Sequence, residues 1–421
     1  MKYLFNLLFL SSFCPIFGQS DSITRGPYLQ SMTPNSVVIH WRTLNPSPSK
    51  VLYGLSESKL NRISQNTELT TEHVVKLNGL KAKQKYIYRV GQKEIKSFKT
   101  SPKSNDPKMV RIWALGDFGN LSANQKAVLE SIRNYHQKNP IDAWIWLGDN
   151  AYYNGKDEEY QKKVFDVYQK DFLDRIALFP SPGNHDYGGS HNPQNVPYFS
   201  IFNLPVLGES GGIASHSGSY YAIDYGSLHL ISLDSELQDE NGFFLNDGKG
   251  RQFEWLKKDL AANKLPWVIV YFHKPPYSKG SHDSDVEEDM KKIREHVNPL
   301  FEKYKVDVVL SGHSHVYERT FPMRNHFGLN NSFDEKLHKF YKENSPNRYI
   351  VDQNGQGVIY MVAGSGGQLG GSRSGYPLKS SVFSNNTIGG SVIFEVTNKK
   401  FISKWIASTG EILDQFEIDK K

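Results

Sequence analysis

Beyond residue 108 the chain alternates between short, almost wholly apolar runs and longer amphipathic stretches. That alternation constrains the fold more than any other feature of the sequence. Met109–Leu115, Ala143–Leu147, Leu228–Leu233, Trp267–Phe272 and Val306–Leu310 have strand length and are rich in β-branched and aromatic residues. Between them, Asn124–Gln137, Glu158–Phe172, Gly250–Ala262 and Val286–Tyr304 carry apolar residues at helical spacing. A strand that is apolar on both faces needs cover on both, so the pattern predicts an α/β (α+β) sandwich of mixed sheets flanked by helices. Val358–Ala363, Ser391–Glu395 and Phe401–Ala407 read as later strands of the same body.

The first hundred residues read differently. Ser36–Trp41, Lys50–Tyr53 and Lys85–Val90 are short strand-like runs separated by Pro, Ser and Asn, with no helical periodicity. They predict an all-β sandwich module over residues 23–101, joined by the polar linker Ser101–Lys108 to a catalytic domain over 106–421. The module contains no metal-binding or nucleophilic constellation, so support or binding is its expected role. Before it, Lys2, the apolar stretch Tyr3–Phe17 and the polar turn at Gln19 have the form of a signal peptide over residues 1–19. The single cysteine, Cys14, falls inside that segment, leaving the exported protein without a disulfide. Export without disulfides points to a secreted or periplasmic bacterial protein. With 50 basic and 44 acidic residues spread evenly, the chain carries no patch for nucleic acid, and no later run is long enough to cross a membrane. Nothing in the sequence speaks to oligomeric state.

The chemistry sits at strand ends. Met109–Leu115 runs into Gly116-Asp117-Phe118-Gly119, and Ala143–Leu147 into Gly148-Asp149-Asn150-Ala151-Tyr152. Ala177–Pro180 leads to Gly183-Asn184-His185-Asp186, Trp267–Phe272 to His273, and Val306–Leu310 to Gly312-His313-Ser314-His315. The carboxyl ends of strands in an α/β sheet form the crevice where ligands bind. Taken singly, each residue has an ordinary reading: Asp117 or Asp149 as a turn residue, Asn184 as a loop residue, His273 as a buried histidine. Five strand ends delivering Asp, Asp, Asn, His and His-x-His point jointly to a metal site.

This set resembles the metallophosphoesterase signature in its purple acid phosphatase form. Val316-Tyr317-Glu318-Arg319 and the Gly364-Ser365-Gly366-Gly367 turn match that family too. Leu77-Asn78-Gly79-Leu80 followed by Lys85–Val90 is similar to fibronectin type III strands, as in the N-terminal module of the longer, plant-type members. Where most metallophosphoesterases have Asp-x-His, this chain has Asp117-Phe118-Gly119, and Tyr152 stands three residues after Asp149. The resemblance implies Fe(III) held by Asp117, Asp149, Tyr152 and His315. A second, divalent ion (Fe, Zn or Mn) would be held by Asp149, Asn184, His273 and His313. Tyrosinate is a hard, charged oxygen donor suited to a ferric ion.

The family's activity is hydrolysis of phosphate monoesters on small phosphorylated substrates, by a metal-bound hydroxide, with acid phosphatase character. His185 and His282 are the residues left for catalysis, His185 beside a ligand and His282 in the loop after His273. Asp283 stands where the plant pattern has a second histidine, which leaves the division of labour between the two open. Asp186 is expected to orient His185. His191, His216 and His326 read as solvated loop positions, and His229 as structural. A phosphodiesterase or nucleotidase on the same core is the near alternative, and a surface binding protein with a structural metal the distant one.

Overall fold

The structure, a computed structural model, describes residues 22–190, 195–340, 342–345, 347–351 and 357–420. The expected signal peptide and His191 lie outside the described residues. Ile23–Gln30, Val37–Gly54, Arg62–Leu77, Lys85–Val90 and Lys96–Lys99 form a five-stranded antiparallel sheet of their own. Val37–Gly54 is long enough to serve two neighbours. Its start pairs with Ile23–Gln30 and its end with Lys85–Val90, with shifts of register against Arg62–Leu77 between Arg42 and Ser49. Such irregularities bend a strand, so one strand serves both halves of the module. Ile39, Trp41, Val75, Tyr88 and Phe98 fill the interior.

The remaining strands make two sheets. The eight-stranded one runs, edge to edge, Lys342–Ser345, Arg348–Val351, Ile412–Lys420, Lys400–Ala407, Gly390–Val396, Val110–Leu115, Ala143–Leu147 and Ala177–Ser181. The seven-stranded one runs Ser381–Asn385, Tyr317–Thr320, Ile359–Ala363, Val308–Ser311, Trp267–Phe272, Leu228–Ser232 and Tyr221–Tyr225. Both are mixed, with the strands that carry the motifs running parallel. Alternate side chains point to opposite faces of a strand. Ile112, Ala114 and Ile145 therefore pack between the sheets with Leu230, Ile269 and Leu310. Trp113, Trp144 and Trp146 face outward under the helices Ala123–Lys138 and Asp157–Leu173. On the far side Val268, Val270 and Phe272 lie under Trp255, Leu256, Ile293 and Phe301. The layers are helix, sheet, sheet, helix.

Two expectations shift in detail. The helical stretch Asp157–Leu173 contains two segments of wider π-type turns, Gln161–Phe165 and Gln169–Leu173. The helix expected from Val286 begins instead at Glu288. Among the described residues no helix is long and apolar enough to cross a membrane.

Candidate metal centre

Parallel pairing of Leu115 with Trp146 and of Leu147 with Ser181 lines up the ends of three strands, so the turns after them lie side by side. In the facing sheet the pairing of Phe272 with Ser311 does the same for the turns bearing His273 and His313. Backbone bonds sew these ends together: Asp117 N donates to Gly148 O (3.1 Å), Gly116 N to Ala363 O (3.2 Å) and Gly312 N to His273 O (3.0 Å). The approach is close enough to demand glycine. A Cβ on Gly148, whose φ is +86°, would lie 2.6 Å from His273 Nδ1, and one on Gly183 would lie 2.3 Å from the amide of Asp149.

Asp117, Asp149 and His313 all adopt left-handed backbone conformations, with φ of 57°, 51° and 65°. Each costs on the order of 1–2 kcal/mol for a residue with a side chain, and such strain clusters at functional sites. The result is that carboxylates and imidazoles converge. Tyr152 Oη lies 3.1 Å from Asp117 Oδ1, 3.2 Å from Asp149 Oδ2 and 3.2 Å from His315 Nε2. On the other side of Asp149, His273 Nε2 lies 3.3 Å from Asp149 Oδ1, 3.1 Å from Asn184 Oδ1 and 3.2 Å from His313 Nδ1. The seven side chains thus form two groups that share Asp149, and Asp117, Asp149, Tyr152, His273 and His313 are buried.

The donor chemistry fits cations. His273 Nδ1 faces the carbonyl of Leu147 at 2.9 Å, and a carbonyl only accepts, so Nδ1 carries the proton. Its Nε2 lone pair then points at two oxygens that are also acceptors, an arrangement that a metal ion between them resolves. Without metal a proton takes that place. Burial would depress the His273 imidazole, but the charge of Asp149 outweighs it and pushes it up to about 10. Asp149 resists the effect of its own burial, because His273 holds its carboxyl far below the usual range. Burial, reinforced by the charges of Asp117 and Asp149, drives the Tyr152 phenol well above its ordinary value. Without metal, Tyr152 is therefore a protonated donor to two carboxylates.

His185 and His282 stand at the rim, their side chains about one third exposed (33% and 31%), so both are open to a substrate. The His185 amide donates to Asp149 Oδ1 (2.8 Å), and its Nδ1 donates to the carbonyl of Tyr153 (2.6 Å), placing Nε2 3.8 Å from Asp149 Oδ2. Asp186 does not orient it. The Asp186 carboxylate accepts instead from the amides of Gly183 and Asn150, from Asn150 Nδ2 and from Tyr160 Oη. Successive residues on a helical turn point about 100° apart, so the neighbour of His185 in sequence faces the interior. There burial, with the charge of Asp149, raises the Asp186 carboxyl to about 7.

His282 is held through Nδ1 by both carboxylate oxygens of Glu287 (2.9 and 3.0 Å). Glu287, His282 and His313 also lie close enough together to hold a metal ion, as do Asp149, His273 and His313. Sequence reasoning missed Glu287: in Val286-Glu287-Glu288-Asp289 it looks like one of several acids at a helix N-terminus. The other histidines separate. His216 is exposed and His229 is buried. His326, expected in solvent, is only 3% exposed and packs on Tyr277 and Phe333.

Both parts of the chain match known families. Residues 110–317 match the family model described as calcineurin-like phosphoesterase, and residues 27–105 match the purple acid phosphatase N-terminal domain. Human (Homo sapiens) acid phosphatase type 7 is 28% identical over 368 residues, covering 79% of this chain and 75% of the relative. Purple acid phosphatase 21 of Arabidopsis thaliana is 29% identical over 262 residues, 60% of this chain and 54% of the relative. The fold matches that of a purple acid phosphatase isolated from yellow lupin (Lupinus luteus) seeds. That match has a TM-score of 0.75 at 20% identity and covers 95% of this chain and 75% of the lupin chain.

The chain is thus a calcineurin-like phosphoesterase, an enzyme of metal-dependent phosphoester hydrolysis. Within that class it belongs to the purple acid phosphatases, in the form that carries an N-terminal β-strand module. A binuclear metal site is expected with that membership, and small phosphorylated molecules are the substrates of such a phosphoesterase.

Proposed function

We propose that this protein is an acid phosphatase hydrolysing phosphate monoesters, with Asp117, Asp149, Tyr152 and His315 as the ligands of Fe(III). Asp149, Asn184, His273 and His313 hold a divalent Fe, Zn or Mn ion. The observation that carries this reading is the placement of the Tyr152 phenol within 3.1–3.2 Å of Asp117, Asp149 and His315. A charged oxygen donor among carboxylates suits a trivalent ion. When bound, the metal pair supplies Lewis acidity, lowering the pKa of water and polarising the phosphoryl group.

The chain's own residues supply the rest. His273 is fixed in one tautomer by Leu147, so its Nε2 is ready as a donor without reorganisation. His185, anchored through Nδ1 by Tyr153, has Nε2 left to deliver a proton to a leaving alkoxide. His282, anchored through Nδ1 by Glu287, binds the phosphoryl oxygens or shares the proton delivery through its own Nε2. Residues 23–101 are an accessory module and 106–421 the catalytic domain. Lys2 and the apolar stretch to Phe17 support export, which places the enzyme in a bacterial periplasm or outside the cell.

The test is phosphate release from p-nitrophenyl phosphate against its bis ester, with elemental analysis of the purified protein. Turnover of the monoester with iron bound is the expected result. Preference for the diester, or a protein active without iron, would overturn the assignment.

A further inference from the structure

The loop that carries Asp149 and Tyr152 ends in a frame of charged bonds that leads out of the catalytic domain. The Glu159 carboxylate accepts from the amides of Tyr153, Asn154 (2.9 Å) and Lys156 (3.1 Å), pinning the loop to the first turn of the helix that follows. Lys163 Nζ donates to the carbonyl of Tyr152 and to Glu159 (2.9 Å), closing the frame from the next turn. At the start of the same helix stands Asp157, held by two guanidinium groups of the N-terminal module. Arg42 donates two bonds to it (2.5 and 2.9 Å), and Arg25 donates two more (2.9 and 3.0 Å). Arg25 also reaches Gln161 Oε1 (2.8 Å), and its side chain is 1% exposed, so Asp157 neutralises a buried charge.

From this geometry we infer that the N-terminal module acts in catalysis as a clamp. Through Arg25 and Arg42 on Asp157 it fixes the loop that presents Asp149 and Tyr152, making Arg42 and Asp157 positioning residues. The inference rests on the ligand assignment proposed above.

Two-forked pairing of guanidinium with carboxylate fixes direction as well as distance, which a single-point contact does not. Elsewhere the interface has single-point contacts, among them Lys96 to Asp174 (3.1 Å), Lys99 to Asp142 (3.2 Å) and Gln169 Nε2 to the carbonyl of Pro27 (2.7 Å). Tyr88 Oη donates to Asp174 O (2.8 Å) at the far end of the helix, beyond the frame around the loop. The clamp also survives mild acid. Partial burial would raise the Asp157 carboxyl, but Arg42 and Arg25 together hold it down at about 2.

The experiment compares Arg42→Gln, Arg42→Lys and Tyr88→Phe in the full chain, because Arg42 is part-exposed and its loss leaves Arg25 paired. Hydrogen exchange is read on metal-free protein, and kcat and KM on metal-loaded protein with p-nitrophenyl phosphate. In Arg42→Gln the amides of Asn154 and Lys156 should exchange about 2- to 30-fold faster, and kcat should fall by a similar factor with KM little changed. Arg42→Lys should recover part of both effects, and Tyr88→Phe should show neither. Unchanged exchange at Asn154 and Lys156 in Arg42→Gln, or an equal change in Tyr88→Phe, would overturn the clamp. Since the exchange is measured without metal, an error in the ligand assignment would surface in the turnover measurements alone.

Discussion

The imidazole rings of His282 and His313 lie stacked, with 3.7 Å between centroids and 28° between planes. His282 bonds both carboxylate oxygens of Glu287, and one of them, Oε2, also lies 3.7 Å from His313 Nε2. His313 is deeply buried, and burial, opposed in part by Glu287, lowers its imidazole to about 3. It therefore stays neutral beneath its neighbour. Glu287 keeps its charge, because the bonds from His282, with His313 nearby, hold it far down against the effect of its own burial. A residue at the rim is thus fixed against a residue at the centre.

Glu287→Gln should loosen His282 without removing a metal ligand. We expect about 10–100-fold lower kcat on an alkyl phosphate, a smaller loss on p-nitrophenyl phosphate, and unchanged metal content. Equal losses on the two substrates would show that Glu287 does not act through proton delivery.

Removing the histidines themselves should cost more. His185→Ala or His282→Ala should lose roughly 10²–10⁴-fold with a poor leaving group and far less with an activated aryl ester. The variant with the larger difference between the two substrates is the main proton donor. If neither discriminates, both serve to hold phosphate.

The loaded protein should be violet from a tyrosinate–ferric band, and Tyr152→Phe should bleach it. Because the phenol is held protonated without metal, iron uptake should release a proton from Tyr152. Proton release on iron addition, followed with an indicator dye, should be smaller in Tyr152→Phe by about one proton per site. An unchanged release would argue against tyrosinate ligation.

Gly148→Ala would drive a methyl group into the His273 ring. Overpacking of this kind costs typically about 1–3 kcal/mol. Reduced occupancy of the divalent site, with a lower melting temperature, is the expected outcome by elemental analysis and calorimetry. Full occupancy with wild-type stability would mean that the turn has room to relax.

His229 sits between Asp224 (2.8 Å from Nδ1) and Asp259 (2.7 Å from Nε2), so both ring nitrogens donate and the imidazole is charged. Burial opposes that charge, but the bonds to Asp224 and Asp259 outweigh it and raise the group to about 9. The folded value lies above the unfolded one, near 6.5. The stabilisation is therefore complete below about pH 6.5 and is lost as pH rises through about 9, amounting to about 3 kcal/mol. Denaturant titrations from pH 6 to 10 should show that decline, and His229→Gln should flatten it. The same slope in the variant would place the titrating group elsewhere.

The grouping of the candidate site residues and the fold class were legible in the sequence because both depend on local order. Apolar runs of strand length need cover on two faces, and five strand-like runs led to a metal-type side chain, four of them through a glycine turn. Asp117, Asp149, Asn184, His273 and His313 could therefore be grouped before any contact was known. Where a side chain points once its element is packed is decided across the chain. Asp186 looked like the partner of His185 by adjacency, yet the helical turn sends it inward to Asn150 and Tyr160. His326 looked solvated by composition, yet Tyr277 and Phe333 enclose it. Glu287 and Asp157 carried no signal at all. Each is one acid among several near a helix start; the course of the loop, which the sequence does not show, folds Glu287 back onto His282, and the packing of separate elements brings Arg25 and Arg42 to Asp157. Spacing along a chain encodes which residues share a strand end, while bonds between residues more than a hundred positions apart exist only once the layers have closed.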